Sequence, residues 1–567
     1  MKTIRFSILI IFSVLWFVSC EDLTELNIDP TGVDPAEADP NLLLSTIMIE
    51  NAEDIHFHGW FEAYSLAGVM QHLQRDSWQN PFNNFQWGDS WASERSRSSF
   101  NWDSKYGALR TTNHAYQRAV EENMEFHQGV ALVLKSMIFG RLTDMWGPIP
   151  YTEALKGTEI LHPSFDNQET VYRGIIEDLK RAADLLSKER TAYIRINPGQ
   201  DVYYGGDPAM WHKLANSLAL RYYMRLSEKL PAFAEAGVTE MLTKQLITDV
   251  SEDANMYFLG HGDETSWQAN TVFDPERVRF NRLKPCTTLS YRLNELDDPR
   301  REVFFSPVEI PVQVSDQHAE DNVIVDGVRY LHPDYIEANN FKIFDPDTYH
   351  EDIAAGYTLF DTNSVYVGIP PAMSTSTPNW YNFNPSPAQG GTNPHVSYMA
   401  EHFRQAAGEH LKVRILTAAE VYFIKAEAAL RGWGSDAEGN YNAGVRAALE
   451  AWGLGGSYES YITNEGVAFN GTLEQIMEQK WISNFTTAAE AWFDWRRTGY
   501  PELQAGPVAS RPVLPLRFRY HSNEKNRNSE QYFKALENLE ETGFSGEFGK
   551  DSPFSKMWLL QGTGKPW

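Results

Sequence analysis

Cysteine is almost absent from this chain, which has only Cys20 and Cys286 among its 567 residues. Two cysteines cannot build a disulfide framework, so the folded state must be held together by its hydrophobic core. The chain also exceeds the roughly 250–300 residues at which a single core usually stops growing. The sequence therefore predicts either two or more lobes or one large helical array.

Basic residues are also scarce, with 49 lysines and arginines against 76 aspartates and glutamates and a formal net charge of −27. Nucleic acids and anionic membrane surfaces are bound through fields of lysine and arginine. The charge balance therefore predicts that nucleic acid is not a partner. Aromatic residues are plentiful, at 13% with 17 tryptophans. They suggest stacking surfaces for carbohydrate or peptide, although most of them are expected in the core.

The common catalytic and cofactor motifs are missing: there is no Gly-x-Ser-x-Gly elbow, no His-Glu-x-x-His pair and no phosphate loop. Gly432, Gly434 and Ala437 fit a dinucleotide-binding spacing, but they follow a predicted helix instead of a strand. His56 and His58 could hold a metal, although surface histidines at a helix end are far commoner. We expect no enzyme, no cofactor and no metal, with a glycosidase carboxylate pair as the open alternative.

One long apolar run is present, at the N-terminus. Lys2 and Arg5 precede apolar residues 6–18, a run shorter than the ~20 residues of a spanning helix, and Ser19 comes directly before Cys20. This order predicts a lipoprotein signal peptide over residues 1–19 with Cys20 as the acylated residue. The alternative is an ordinary secretory signal with an incidental cysteine. Residues 20–40 are rich in Asp, Pro and Gly and predict a flexible tether.

Beyond the tether, most patterns are helical. "LTAAEVYFIKAEAALRGWG" has Thr417 as N-cap, Glu420 three residues later and Gly432 at its end, and "NYNAGVRAALEAWGLG" repeats the pattern. Together they predict a helical hairpin of tetratricopeptide type. Another helix begins at Asp207 and Pro208. Further helical periodicity lies near residues 40–72, 105–122, 127–143, 167–188 and 472–498.

The stretch "EAWFDWRRTGYPEL", residues 490–503, combines acids, arginines and tryptophans as an active site would. Trp492 and Trp495 continue an apolar helical face that ends at Gly499. Asp494 lies three residues before Arg497, a spacing that allows the two charges to pair. The pattern therefore predicts a piece of scaffold with the tryptophans in the core.

Several blocks of sequence, in order, resemble the SusD/RagB family of outer-membrane nutrient-binding lipoproteins. They include "GRLTDMWGPIPYTEAL", "DPAMWHKLANSLALRYYMRL", "LNELDDPR", "AEVYFIKAEAALRGW", "EQKWISNFTTAAEAWFDWRRTGYPEL" and "RFRYHSNEKNRNSEQYFKAL". The resemblance implies a mostly α fold, with four tetratricopeptide-like helix pairs and an irregular loop-rich lobe. We assign residues 41–250 and 411–567 to the helical scaffold and residues 251–410 to the ligand-binding lobe.

The resemblance also implies a function. Family members capture oligosaccharides, and some of them peptides, at the cell surface and act as the lid of a TonB-dependent SusC-like outer-membrane transporter. The corresponding prediction here is a surface-exposed protein, lipid-anchored in the outer membrane, that binds an oligo- or polysaccharide. Peptide capture is the first alternative, and a helical-repeat protein that assembles partners without a small ligand is the second.

Aromatic residues that helical periodicity leaves unexplained are the candidate ligand contacts. They lie in three loop-like segments among Asn, Gln, Ser and Asp, a mixture that suits glycans because sugar rings stack on aromatics while amides and arginine bind hydroxyls. Trp102 and Tyr106 are instead assigned to helix packing. The predicted contacts are Trp78, Phe85, Trp87, Trp91, Trp267, Trp380 and Tyr381, with Arg75 as a polar partner.

Overall fold

The computed structural model describes residues 38–55, 66–75, 102–262, 265–267, 283–371, 381–383, 393–506, 509 and 511–565. Most of the regular structure in these ranges is helical, which confirms the expected mostly α fold. The α-helices are α1 (Pro40–Ile55), α2 (Ala67–Val69), α3 (Trp102–Glu121), α4 (Glu125–Trp146), α5 (Gln168–Leu185), α6 (Pro208–Arg225), α7 (Pro231–Met241), α8 (Thr287–Glu295), α9 (Arg301–Phe304), α10 (Pro333–Ala338), α11 (Tyr349–Ala354), α12 (Ala418–Leu430), α13 (Ala437–Glu450), α14 (Tyr458–Tyr461), α15 (Leu473–Ser483), α16 (Ala488–Thr498), α17 (Ser522–Arg527) and α18 (Ser529–Leu536).

The strands are short, and most of them lie between residues 254 and 399. They are β1 (Leu73–Arg75), β2 (Ile149–Pro150), β3 (Phe165–Asp166), β4 (Ala254–Tyr257), β5 (Leu283–Pro285), β6 (Phe305–Ser306), β7 (Val312–Val314), β8 (Asn322–Val325), β9 (Val328–Leu331), β10 (Phe341–Ile343), β11 (Thr358–Phe360), β12 (Tyr398–Met399) and β13 (Lys412–Leu416). They form five two-stranded pairs and one three-stranded sheet of order β7-β9-β8. Such small sheets connect and brace the chain without forming a layer of their own.

Local capping explains where the predicted helices begin. The Thr417 hydroxyl accepts the Glu420 backbone N–H at 3.3 Å, and the Asp207 carboxylate accepts the Ala209 N–H at 2.9 Å. The Glu420 carboxylate turns away from Thr417 and contacts the buried Arg221 at 2.6 Å. Only one half of the predicted capping box is therefore formed, the bond from the Glu420 N–H to Thr417. The Glu420 side chain does not bond back to Thr417, because it pairs with Arg221 instead.

Consecutive helices pack against one another: α3 on α4, α4 on α5, α5 on α6, and α12 on α13. The predicted hairpin at residues 417–450 is confirmed by the last of these pairs. The predicted packing role of Trp102 is confirmed as well, since its buried ring lies 5.3 Å from Trp146 and 5.2 Å from Tyr106 between centroids.

The predicted helical pattern near residues 40–72 contains α1 and α2, with residues 56–65 outside the described part, and the chain enters strand β1 at Leu73. A second pattern is more broken than its periodicity predicts. The pattern over 472–498 is split into α15 and α16, with residues 484–487 as a turn between them. Asn and Thr in that turn favour non-helical backbone, and Phe485 leaves the helical face to stack on Phe304 with centroids 4.1 Å apart. Core packing and the residues of the turn therefore interrupt the helix that the periodicity of apolar residues predicts.

The stretch 490–503 is scaffold, as its pattern predicts. Trp492 and Trp495 are buried, and Gly499 ends α16 with a φ of 86°. Asp494 contacts Arg497 at 3.1 Å, as expected, and also Lys480 at 2.7 Å. These charges belong to a buried network of ion pairs between α6, α12, α15 and α16, in which Arg221 contacts Glu420, Arg225 contacts Glu490 and Arg497 contacts Glu427. Pairing of this kind offsets the cost of removing the charges from water.

One large hydrophobic cluster runs through most of the molecule, and it includes Leu289, Phe304 and Phe403 from the predicted ligand-binding lobe. Two small clusters lie within residues 308–396, one of eight buried residues around Phe344 and one of three around Phe360. The division into scaffold and lobe stays a prediction, since the large cluster crosses its boundary. Among the residues that the structure describes, no helix is both long enough and apolar enough to cross a membrane.

Candidate functional site

An open cavity of about 530 Å³ lies where α8 and α15 meet the segments 344–349 and 501–504. Small-molecule sites are typically concave spaces of this size, with apolar surface and a few placed polar groups. The cavity is lined by Gln71, Thr287, Thr288, Tyr291, Arg292, Glu295, Phe344, Pro346, Asp347, Tyr349, Glu474, Glu478, Trp481, Pro501, Glu502, Leu503 and Gln504. We take it as the candidate ligand site.

Aromatic rings form the inner surface of this cavity. Tyr291, on α8, is half-buried and packs on Phe344 with centroids 5.3 Å apart. Phe344 in turn contacts Tyr349 at 5.2 Å. Trp481, on α15, is buried, and its indole N–H donates to the Met70 carbonyl at 2.8 Å. These neighbours hold the rings in place, so the inner surface is formed before a ligand arrives.

Polar groups surround the aromatic surface, and several of them bond to one another. The Gln71 amide donates to the Gln504 carbonyl at 2.6 Å, and the Thr288 hydroxyl donates to the Gln71 side-chain oxygen at 2.5 Å. Arg292 donates to both carboxylate oxygens of Glu478 at 2.6 and 2.8 Å. A bidentate pair of this kind fixes the guanidinium in one orientation.

The position of α8 depends on a close backbone contact. Strand β5 leads into Cys286, which precedes α8, and the Thr287 N–H donates to the Ile369 carbonyl at 2.9 Å. Gly368 lies against this junction: a Cβ there would be 2.6 Å from both the Cys286 carbonyl carbon and the Thr287 nitrogen. Only a glycine permits this approach, which places Tyr291 one helical turn further along.

A buried carboxylate lies behind the aromatic surface. Burial raises the pKa of Asp361 to about 6, although the Asn363 backbone N–H and the hydroxyls of Tyr291 and Tyr381 act in the opposite direction. Tyr381 donates to Asp361 at 3.5 Å. These contacts connect Tyr291 to the loop that carries residues 361–363, so the cavity wall and the small cluster behind it are joined.

The structure places two of the predicted contacts in the interior. Trp267 is 1% exposed and packs on Phe258 with centroids 5.6 Å apart, and Tyr381 is also 1% exposed and packs on Phe344. Stacking on a sugar needs an exposed ring face, which neither residue offers in this structure. Tyr381 instead supports Phe344 from behind, and Trp267 packs in the large core near Phe403.

The other predicted contacts lie outside the described residues. Arg75 has its backbone in strand β1, but its side chain is outside the described part. Trp78, Phe85, Trp87, Trp91 and Trp380 are outside it altogether, as is Cys20. Their roles stay predictions.

Two backbone pairings lie at the start of α8. Arg75, which directly precedes the undescribed segment 76–101, pairs with Leu283 in the antiparallel β1-β5 ladder. Cys286 bridges to Ile369, shortly before segment 372–380 begins. Both pairings lie beside α8, whose residues Thr287, Thr288 and Tyr291 line the cavity.

The sequence patterns did not mark the residues that form this cavity. Tyr291 and Arg292 directly precede "LNELDDPR", which carries the family resemblance, and Glu502 and Leu503 are the last two residues of the stretch assigned to scaffold. A tyrosine beside an arginine, directly before a block of the family resemblance, was the signal available in the sequence. The stretch 490–503 is thus scaffold along α16, but its last residues reach the candidate site.

Metal binding finds no support among the described residues, where no cluster of three His, Cys, Asp or Glu side chains is suited to a metal ion. His56 and His58 lie outside that part of the chain. Cys286 is buried, and burial raises the pKa of its thiol to about 12. A thiol in that state is inert as a nucleophile.

Similarity to known proteins adds to this geometry. The chain matches the model of the SusD-like family, described as starch-binding and associating with the outer membrane, over residues 33–331 and 371–521. No curated protein is similar enough to this chain to match it.

Solved structures share the fold. A chitin-binding protein is 22% identical, with a TM-score of 0.68 and coverage of 92% of this chain and 99% of that one. A Bacteroides vulgatus outer-membrane protein, described in connection with nutrient binding, is 21% identical with a TM-score of 0.66, covering 92% and 100%. A SusD homologue from Bacteroides fragilis is 18% identical with a TM-score of 0.63, covering 92% and 99%. Because the family match spans most of the sequence, the chain belongs to the SusD-like family, which is associated with the outer membrane.

Proposed function

We propose that this protein is a cell-surface lipoprotein that binds an oligo- or polysaccharide and delivers it to a TonB-dependent SusC-like outer-membrane transporter. The observation that carries the proposal is the open cavity beside α8, in a chain of the SusD-like family. Its role is binding, without a catalytic step.

The chemistry of the cavity suits a sugar. Tyr291, the half-buried ring of the inner surface, offers apolar contact to the C–H face of a sugar ring, and the buried Phe344 supports it from behind. Carboxylates at the rim accept hydrogen bonds from sugar hydroxyls, and the exposed Gln504 side chain can both accept and donate them. The cavity is also open to solvent along one side, which lets a chain longer than the cavity extend beyond it.

The ligand is tested by affinity electrophoresis and calorimetry of the purified full chain against plant, algal and host polysaccharides and a peptide digest. We expect one glycan to bind, and we expect Gln504→Ala to weaken that binding about tenfold. The control variant is Glu459→Gln, which changes an exposed acid remote from the cavity and should leave the affinity unchanged. Trp87→Ala and Trp380→Ala test the aromatic segments in the same assay. Heat released by the peptide digest alone, with every glycan silent, would replace this proposal with peptide capture.

The anchor and the partner are tested in membranes. We expect Cys20→Ala to abolish acylation and release the protein from the outer membrane. The intact protein is expected to copurify with a barrel transporter after mild detergent extraction. We expect the interface between the two proteins to bury more surface than the contact between the protein and its ligand. Purification of the intact, anchored protein without any barrel partner contradicts the delivery step.

A further inference from the structure

One wall of the candidate site comes from a part of the chain that the family model does not match. The match stops at residue 331 and resumes at residue 371. The intervening residues 332–370 form α10, β10, α11 and β11, and they supply Phe344, Pro346, Asp347 and Tyr349 to the cavity. The opposite wall, from α8, α15 and residues 501–504, lies within the matched part.

Several contacts hold this wall in place. Strands β10 and β11 pair in parallel, and the Phe344 N–H donates to the Phe360 carbonyl at 2.7 Å. Lys342 contacts Asp352 at 2.6 Å across the loop between them. The Asp347 N–H donates to the Asp345 carboxylate at 2.9 Å, which fixes the exposed turn that presents the Asp347 side chain at the rim. The wall is therefore built by its own residues and docks on α8 through Phe344 and Tyr291.

The charges around the cavity are almost all of one sign. Among the described residues, five carboxylates line it, those of Glu295, Asp347, Glu474, Glu478 and Glu502, against the single guanidinium of Arg292. That guanidinium is engaged by Glu478 and, at 3.0 Å, by Glu295. Within the described part of the chain, Asp347, Glu474 and Glu502 form no salt bridge, and all three are exposed. The rim is therefore rich in hydrogen-bond acceptors and repels anions.

We propose that residues 332–370 determine the ligand specificity of this protein, and that the site they complete takes neutral or amino-sugar oligosaccharides and rejects polyanionic ones. This inference depends on the proposed function, since it concerns the ligand of the same site. Sugar hydroxyls and ammonium groups donate hydrogen bonds, and carboxylates at the rim accept them. A uronic acid or sulfated sugar instead brings a second negative charge beside Asp347, and among the described residues that line the cavity the one cation, Arg292, is already paired with Glu478 and Glu295.

Coulomb repulsion sets the expected size of the effect. Repulsion between two like charges about 4 Å apart in water lowers the affinity about fivefold. Each further facing pair of like charges lowers the affinity again by a similar factor. Screening reduces the penalty steeply as the Debye length falls from about 10 Å at 0.1 M salt to about 3 Å at 1 M. Discrimination against anions should therefore be largest at low salt, a dependence that steric exclusion does not have.

The test uses the glycan found in the binding panel and a derivative of it with primary hydroxyls oxidised to carboxylates. Calorimetry of the full chain gives the ratio of the two affinities. We expect the anionic derivative to bind at least about tenfold more weakly at low salt, with the ratio approaching one at high salt. Asp347→Asn combined with Glu502→Gln keeps the hydrogen-bond acceptors and should bring the ratio severalfold closer to one. Glu337→Gln, an exposed acid of the same segment outside the cavity, is the matched control.

The outcomes separate this inference from the proposed function. If no glycan binds, the proposed function fails and the inference fails with it. If a glycan binds but the panel selects a polyanionic one, or if the ratio is insensitive to salt and to the Asp347 and Glu502 changes, the function stands and the specificity proposal is overturned.

Discussion

At the scale of single residues, buried carboxylates in this protein differ by what faces them. Burial alone would raise the pKa of Glu427, but Arg497 and Arg431 hold it below its usual value. Asp361 is equally buried but faces hydroxyls and a backbone N–H, so its pKa stays raised, at about 6. Glu427 is therefore ionised at neutral pH in an ion pair, whereas Asp361 gains a proton in mild acid.

Glu427→Gln should lower the free energy of unfolding by up to about 3–5 kcal/mol, because it removes one of the two carboxylates that face the buried Arg497 and leaves that guanidinium with Asp494 alone. The matched control is Glu459→Gln, which removes the carboxylate that pairs with Arg446. That carboxylate is 81% exposed. The control should cost no more than about 1 kcal/mol. Chemical denaturation of both variants gives the comparison, and equal costs would show that burial does not determine the strength of these pairs.

Asp361→Asn should change how stability depends on pH. The folded pKa of Asp361, about 6, exceeds its unfolded value, so its contribution is fully present below pH about 4 and is lost as pH rises through 6. Asparagine does not titrate, so the stability of the variant relative to the wild type should increase from pH 4 to pH 7, by up to about 3 kcal/mol. Thermal unfolding from pH 4 to 7 measures the difference, and a gap that stays constant would contradict the assigned burial.

At the scale of elements, local sequence predicted what depends on neighbours along the chain. The caps at Asp207, Thr417 and Gly499 mark helix ends correctly because capping is a contact over a few residues. The turn at 484–487 was missed because it depends on Phe485 meeting Phe304, about 180 residues away. The cavity was missed for the same reason: its walls come from five separated segments, and no local pattern marks their convergence.

Gly368→Ala tests the approach of residues 366–369 to the start of α8. The added methyl meets backbone atoms of Cys286 and Thr287, which cannot rotate away as a side chain could. We expect a loss of about 1–3 kcal/mol in stability. Ligand binding should weaken as well, since Tyr291 and Arg292 move with α8. Gly456→Ala, at an exposed position where a Cβ meets nothing within 4 Å, is the control and should be neutral in both assays.

At the scale of the whole molecule, packing is uneven. The large cluster joins α4, α5, α6 and α12–α16, whereas residues 308–360 rest largely on clusters of eight and three buried residues. Local opening is easiest where few buried contacts must be broken. Hydrogen exchange followed by mass spectrometry should therefore show peptides from 312–360 exchanging well before those of α4 and α6. Equal protection would mean that the small clusters are as stable as the main core.

The order of the chain within the large cluster has a consequence for how the protein folds. The core helices come from both ends of the sequence, with Arg225 of α6 paired to Glu490 of α16 at 2.6 Å. Trp146 likewise donates from α4 to the Arg519 carbonyl at 2.8 Å, across more than 370 residues. Such distant contacts make loop closure entropically costly and folding slow. During synthesis, α4 and α6 therefore keep an apolar face exposed until Glu490 and Arg519 have been made, which leaves the nascent chain dependent on protection from aggregation.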